Sequence, residues 1–272
     1  MTSARRAIDA VHVYVLLTAA SARAQMQYRA SFLTNCVTDF LGLLSDFIPI
    51  YFLMRRFDGL QGWSLGEVAL LYGMVGVSWG VAELTFRGFE QFGQYLVAGE
   101  LDRWLLRPRG VLIQIASSHF EPHRVGRIFQ ALLVLGVSVA WLRLSPPALA
   151  WVSVGVVGGT LLFSGIVMFA AGTQFWTLGQ TSELQNMLTY GGAAALSYPI
   201  SIYDAWFRRI LTFGVPLAFV NYYPALAALG RTGQTGLEPF LPWLSPVVCG
   251  VVAVAGAAFF HRGLGRYEST GS

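Results

Sequence analysis

Long apolar runs alternate along the chain with short clusters of charge, glycine and proline. The first run covers about 31–54, carries Asp39 and Asp46, and is stopped by Arg55-Arg56 and the turn Asp58-Gly59. The second covers about 65–86, with Glu67 near one end and Glu83 near the other. After a long polar stretch, 87–127, come two clear runs, 128–142 and 148–176, separated by Ser145-Pro146-Pro147. The former is short for a membrane crossing, which predicts that its helix begins inside the polar stretch. A fifth run, 184–202, is interrupted by Gly191-Gly192 and Pro199, and the last, 240–260, ends at His261-Arg262. A helical crossing needs about 20 mostly apolar residues. Six crossings nearly use up 272 residues, so residues 1–272 are expected to form a single transmembrane domain of the all-α class with six transmembrane helices.

Two further segments follow from the same pattern. Residues 206–229 are aromatic and apolar but broken by Gly214, Pro216 and Pro224. They are about long enough to cross, yet the breaks predict two half-helices forming a re-entrant hairpin in the outer leaflet, where freed backbone groups need protein or water around them. Residues 1–24 imitate a signal peptide, with arginines, an apolar run and a small-residue end. Asp9 and His12 interrupt the run and Arg23 occupies the cleavage position, so 7–24 are expected to be a retained amphipathic helix in the cytoplasmic interface.

Composition agrees with a lipid-facing surface. Hydrophobic residues make up 55% and charged residues 12%, about half of what a soluble domain needs to cover itself. All 18 basic side chains are arginine. Without lysine the chain cannot build a Walker A nucleotide loop or a Schiff-base site. The net charge of +4 is modest and the arginines form no run, which points to membrane orientation and away from nucleic acid. With both termini inside, 12 arginines face the cytoplasm and 6 the outside; a fully crossing hairpin gives 10 against 8. Cys36 and Cys249 read as small hydrophobes. His119 and His123 are four apart, but Pro122 between them and the lack of a third ligand make them loop residues, and no metal site is expected. His12 and His261 also fall in interfacial or cytoplasmic segments, which counts against catalysis at membrane depth; no catalytic residue is expected.

Within the polar stretch, residues 94–110 read QYLVAGELDRWLLRPRG. After Gly99, the residues Leu101, Trp104 and Leu105 share one helical face, while Glu100, Asp102, Arg103 and Arg107 occupy the rest. Glu100 in the first turn and Arg107 at the end suit the helix dipole, and Pro108 stops the helix. The spacing predicts a compact, charge-rich helix between spans 2 and 3, in the segment 94–108.

The pattern GELDRWLLRP resembles the coupling-helix region of ABC-2-type permeases, especially a bacterial branch of six-span permeases encoded in pairs beside an ATPase. Two more segments resemble that branch in the same order: SYPISIYDAWFRRILTFGVPLAFVNYYPALAALG at 197–230 and GLGRYESTG at 263–271. The resemblance implies a non-catalytic permease subunit of an exporter in the bacterial inner membrane, with both termini cytoplasmic. It implies that the helix of 94–108 docks on a cytoplasmic ABC ATPase, two copies per complex, with Leu101, Trp104 and Leu105 filling a groove. Glu100, Asp102, Arg103, Arg107 and Pro108 would set its register. ATP and magnesium would bind to that partner, and this chain would bind no cofactor. A second six-span permease, a homologous but different chain, would complete the pathway within membrane lipid.

Carboxylates inside apolar runs are costly and face protein or a water-filled cavity. Asp39 and Asp46 are two helical turns apart, with Asn35 near the same stripe. These residues and Glu83, with Phe213, Phe219, Tyr222 and Tyr223 of the aromatic hairpin, are the candidate pathway for a hydrophobic or cationic small molecule, as in multidrug efflux. Internal pairing of each acid with an arginine or hydroxyl is the plainer account of the same residues. A proton-coupled secondary transporter and an intramembrane lipid-modifying enzyme are the competing functions.

Overall fold

The structure is a computed structural model, and it describes residues 12–20, 22–23, 29–56, 61–177, 182–233 and 240–267. In chain order the helices are α1 (12–20), α2 (Arg29–Arg56), α3 (Leu65–Glu90), α4 (Phe92–Val97), α5 (Glu100–Leu105), α6 (Val111–Ser118) and α7 (Val125–Leu142). They continue with α8 (Pro146–Thr177), α9 (Ser182–Asn186), α10 (Gly192–Leu196), α11 (Ala205–Arg209), α12 (Tyr222–Ala228) and α13 (Leu241–Leu264). A π turn, Met187–Gly191, joins α9 to α10, and another, Ile210–Gly214, extends α11. No β-strand occurs among the described residues.

The helices containing α2, α3, α7, α8 and α13 are long and apolar enough to cross a membrane. The third expected run does start early, with α7 beginning at Val125 after a 3-10 turn, Pro122–Arg124. The fifth differs from its expected extent of 184–202. Helix stops at Leu196, because Pro199 lacks an N–H and disfavours helix at the residue before it. From Ser182 to Leu196 it covers roughly 22 Å at 1.5 Å per residue, short of about 30 Å of hydrocarbon. The segment expected as a hairpin is two helical arms, Ala205–Gly214 and Leu217–Ala228, bent by 76°, a geometry that fits a broken span as well as a re-entrant loop, and the name hairpin refers to its bend alone. The break falls at Val215-Pro216. Pro224, expected to be a third breaker, instead sits in the first turn of α12, where an N–H has no intrahelical partner to lose.

α3 is the hub. Ser64 and Glu67 form a capping box at its start, satisfying two of the backbone donors that a helix leaves free there. Most of its side chains are buried. α7 lies antiparallel to it: the Ser138 hydroxyl donates to the Gly66 carbonyl at 2.7 Å near one end, and Ile128 meets Gly80 further along. α8 and α13 run parallel, with Gly158 beside Cys249, Gly165 beside Gly256 and Gly172 beside Phe259. At the closest point a Cβ on Gly256 would lie 2.1 Å from the Gly165 carbonyl oxygen. The glycines of the 155–159 segment thus form seams inside this chain. Gly155 and Gly159 meet Val220 of the hairpin as well as α3.

The hairpin is bound to this core through Asn221, whose amide donates to the carbonyls of Leu71 and Leu196 at 3.1 and 2.7 Å. Of the helix expected over 7–24, residues 12–20 and 22–23 are helical, and the rest lies outside the described residues. The Tyr14 hydroxyl fastens α1 to α3 by donating to the Thr85 carbonyl at 3.1 Å. Large apolar side chains stay exposed on α7 (Val137, Trp141), α13 (Val251, Val254) and above all α2 (Leu33, Val37, Leu41, Phe52). Such a surface suits hydrocarbon and not water. The molecule is an integral membrane protein.

The close approach of α6 to α3 gives a test. A Cβ on Gly88 would lie 1.7 Å from the Ile115 carbonyl oxygen, whereas at Gly42 it would meet nothing within 4 Å. Gly88→Ala should lower stability by about 1–3 kcal/mol, as overpacking does, and Gly42→Ala should stay within about 0.5 kcal/mol. Thermal unfolding of the two purified variants in detergent checks both.

Candidate functional site

α2, α3 and the α9–α10 helix line a half-open cavity of about 680 Å3. α2 contributes Thr38, Asp39, Gly42, Ser45 and Pro49, whose spacing repeats one helical face. α3 contributes Tyr72 and Trp79, and the facing wall carries Tyr190, Ser197 and Tyr198. Arg127 of α7 reaches the same space. Asp39 is the wall's carboxylate. Its Oδ2 is buried without a hydrogen bond, and the His123 imidazole, charged only when protonated, has its Nε2 at 3.7 Å.

Next to the cavity lies a buried charge cluster centred on Glu83, which is 1% exposed. Arg124 and Arg127 donate to its two oxygens, the latter at 2.9 Å, and Arg87 lies at 3.8 Å. The Tyr190 hydroxyl also donates to it, joining the π turn to α3. Arg87 and Arg124 further pair with Glu90 and Glu121, and His119 donates to Glu121 at 3.1 Å. Glu121 lies outside the spans. The His119 hydrogen bond does most, against the cost of burial, to hold its carboxyl well below the usual carboxylate range, and Arg124 and Arg87 add to the effect.

Beyond this cluster, α4 to α6 form a compact appendage. Gly99, at φ 69°, makes the left-handed corner between α4 and α5, a conformation that suits glycine. Trp104 packs edge-on against Tyr95 at 5.0 Å, and the Gln114 amide of α6 donates to the carbonyls of Trp104 and Arg109. Phe92 of α4 meets Phe175 of α8 and Phe260 of α13 at 5.0 and 5.1 Å. Burial and then the Asp102 carboxylate push up the Tyr267 phenol, which puts the chain after α13 against α5. The appendage is therefore locked to three long helices.

At the opposite end of α3, Glu67 pairs with Arg231 at 3.0 Å, and Arg231 also lies over the Trp63 ring at 4.8 Å. Trp63 in turn donates to Ser201 and packs on Tyr222. The end of the hairpin is thereby fastened to the start of α3.

The sequence-predicted residues divide accordingly. In α5, Leu101 and Trp104 are buried in this chain's own core, so they cannot fill a partner's groove in this conformation. What faces outward is Leu105, Leu106, Arg103, Arg107 and Pro108, with Leu106 87% exposed, while Glu100 and Asp102 are half-buried. Asp39 lines the cavity, whereas Asn35 is exposed on α2 outside the lining. The side chain of Asp46 lies outside the described residues. Glu83 is an ion-pair centre and does not line the cavity. Phe219, Tyr222 and Tyr223 are buried in hairpin packing, and Phe213 is exposed. Sequence reasoning missed the roles of Arg124, Arg127, Tyr190 and Gln114. Arg124 and Arg127 are 41 and 44 residues from Glu83, so no local spacing signals them. Among the described residues, no three His, Cys, Asp or Glu side chains are grouped to hold a metal ion.

Residues 40–271 match the family described as ABC-2 family transporter protein. No curated protein and no solved structure matches the chain.

Two substitutions test the charge cluster. Glu83→Gln leaves Arg124 and Arg127 without their shared carboxylate and should cost about 3–5 kcal/mol, as removing one partner of a buried pair does; detergent unfolding of the variant measures it. For Glu121 the sign follows from a lowered folded pKa. Its ionised form adds stability above the unfolded value, about 4.3 for glutamate, and that stability is lost as pH falls towards the folded value. Glu121→Gln should therefore be less stable than the parent at pH 7, with the gap shrinking only below the ordinary carboxylate range.

Proposed function

The chain belongs to the ABC-2 transporter family, and we propose that it is the membrane-spanning permease subunit of an ATP-driven exporter. On this proposal it carries no nucleotide site and performs no catalysis. A separate cytoplasmic ABC ATPase, two copies per complex, binds ATP and magnesium, and a second six-span permease completes the pathway. The protein resides in a bacterial inner membrane with both termini cytoplasmic, and it moves a hydrophobic or cationic small molecule outward.

The observation that supports this most is the divided character of α5. One face is locked into the core by Leu101 and Trp104, and Arg103 and Leu105 on the other, with Leu106 and Arg107 in the turn that follows, are offered to solvent. An exposed leucine among arginines, on a rigid support, suits a docking anchor better than a free loop does. The aromatic contacts of Phe92 with Phe175 and Phe260 give a displaced α5 a packed route to α8 and α13. The cavity at α2, α3 and α10 is a natural place for substrate, and the Glu67–Arg231 contact is a closure at the far end. In this scheme ATPase closure pushes on α5, the long helices shift, and the cavity changes the side to which it opens.

A gentle purification of the tagged chain from native membranes, with mass spectrometry of what accompanies it, is the direct test. A stoichiometric P-loop ATPase is expected. The pair Leu106→Asp and Arg103→Glu should reduce ATPase co-purification at least ten-fold while membrane insertion and thermal stability are retained. Trp104→Ala should instead unfold the appendage, at about 3–5 kcal/mol for a buried tryptophan. If the chain purifies alone under conditions that hold a known ABC complex together, or transports without ATP, the proposal fails and proton-coupled transport replaces it.

A further inference from the structure

We infer that the cavity between α2, α3 and α10 binds a lipophilic organic cation, with the Asp39 carboxylate as its counter-charge. The inference rests on the permease proposal for its biological sense and makes the substrate class of that site specific. A volume of about 680 Å3 lies within the range of pockets that enclose drug-sized molecules, about 300–1,000 Å3.

Charge selects the sign. Arg87, Arg124 and Arg127 are matched by Glu83, Glu90 and Glu121, three against three, through the contacts already described. Asp39 takes no part in that set. Its partner is His123, 3.7 Å away and charged only when protonated, and Oδ2 accepts no hydrogen bond. While that imidazole is neutral, Asp39 has no compensating charge within 4 Å among the described side chains. The cation on its wall, Arg127, is held by Glu83 through Nη1 at 2.9 Å while its Nε has no partner, and an anion drawn to it would also meet the Asp39 carboxylate.

The walls select the shape. Tyr72, Trp79, Tyr190 and Tyr198 line the space, and aromatic faces attract a cation that has been stripped of water. α2 forms the outer wall and exposes Leu33, Val37 and Leu41 towards lipid, so a greasy solute reaches the cavity from the bilayer.

The test uses the purified full-length chain, with whatever subunits accompany it, and tritiated tetraphenylphosphonium as the probe. Tetraphenylborate, with the same shape and opposite charge, is the competitor. Saturable phosphonium binding is expected, weakened ten-fold or more by Asp39→Asn and little affected by the borate. Gly42→Trp, which fills open space at the wall, should abolish binding while thermal stability stays near that of the parent. Equal phosphonium affinity in a folded Asp39→Asn variant, equal competition by the borate, or full binding by folded Gly42→Trp overturns the inference. Retention of the ATPase is scored on the same preparation. Partner retained with no phosphonium binding sinks the cation site alone, whereas binding without a partner leaves the site standing and sinks the permease proposal.

Discussion

Glu83 puts a charge into the packed centre of α3, and the need to satisfy it organises one whole end of the molecule. A carboxylate away from water is unstable unless paired and hydrogen-bonded. Here the partners come from three separate elements: Arg124 and Arg127 at the start of α7, Arg87 one turn along α3, and Tyr190 in the π turn. None of these elements can move far without exposing a charge to an apolar interior. The arginines are in turn satisfied by Glu90 and Glu121, so the node fixes α3, α6–α7 and α9–α10 relative to one another. About 24 Å away along α3, at 1.5 Å per residue, Glu67 and Arg231 do the same for the hairpin. α3 is held at both ends by ions and along its length by apolar packing.

Much of this helical framework was legible in the sequence, since crossing lengths, proline breaks and arginine stops are local signals. The start of α7 inside the polar stretch and the bend near Pro216 followed from length and from a missing N–H. The site was less legible. Periodicity placed Leu101 and Trp104 on one face of α5 but carried no information about what that face meets. It meets the chain's own core, and the outward position belongs to Leu106. Similarly, an acid in an apolar run signals a polar environment without naming it. Glu83 resolved to paired arginines and Asp39 to a cavity wall, because the partners lie tens of residues away in sequence. α6 escaped notice since its eight residues sit among loop signals and gain their order from Gln114 and the Gly88 contact.

The rigid and yielding parts are arranged in a way that suits transmission. α8 and α13 meet backbone to backbone at Gly165 and Gly256, leaving little room for sliding, and α4 is joined to both through Phe92. Force applied at α5 thus enters a stiff body. α2 is the opposite case. Its apolar side chains are mostly exposed, and its ties run to α7, the turn before it and α3.

A cavity bounded on one side by the least-packed helix has a wall that can be displaced at small cost in buried area. Its other walls belong to helices fixed by the Glu83 node. If the stiff body moves and α2 follows the lipid, the distance between Asp39 and the wall bearing Trp79 and Tyr190 must change. The cation-π and charge contacts available to a bound solute would then be strong in one position and weak in the other. Differential affinity of this kind is what any alternating-access cycle requires of its binding site. On the proposed function, the uneven packing around the cavity is the feature that would join the fold to transport.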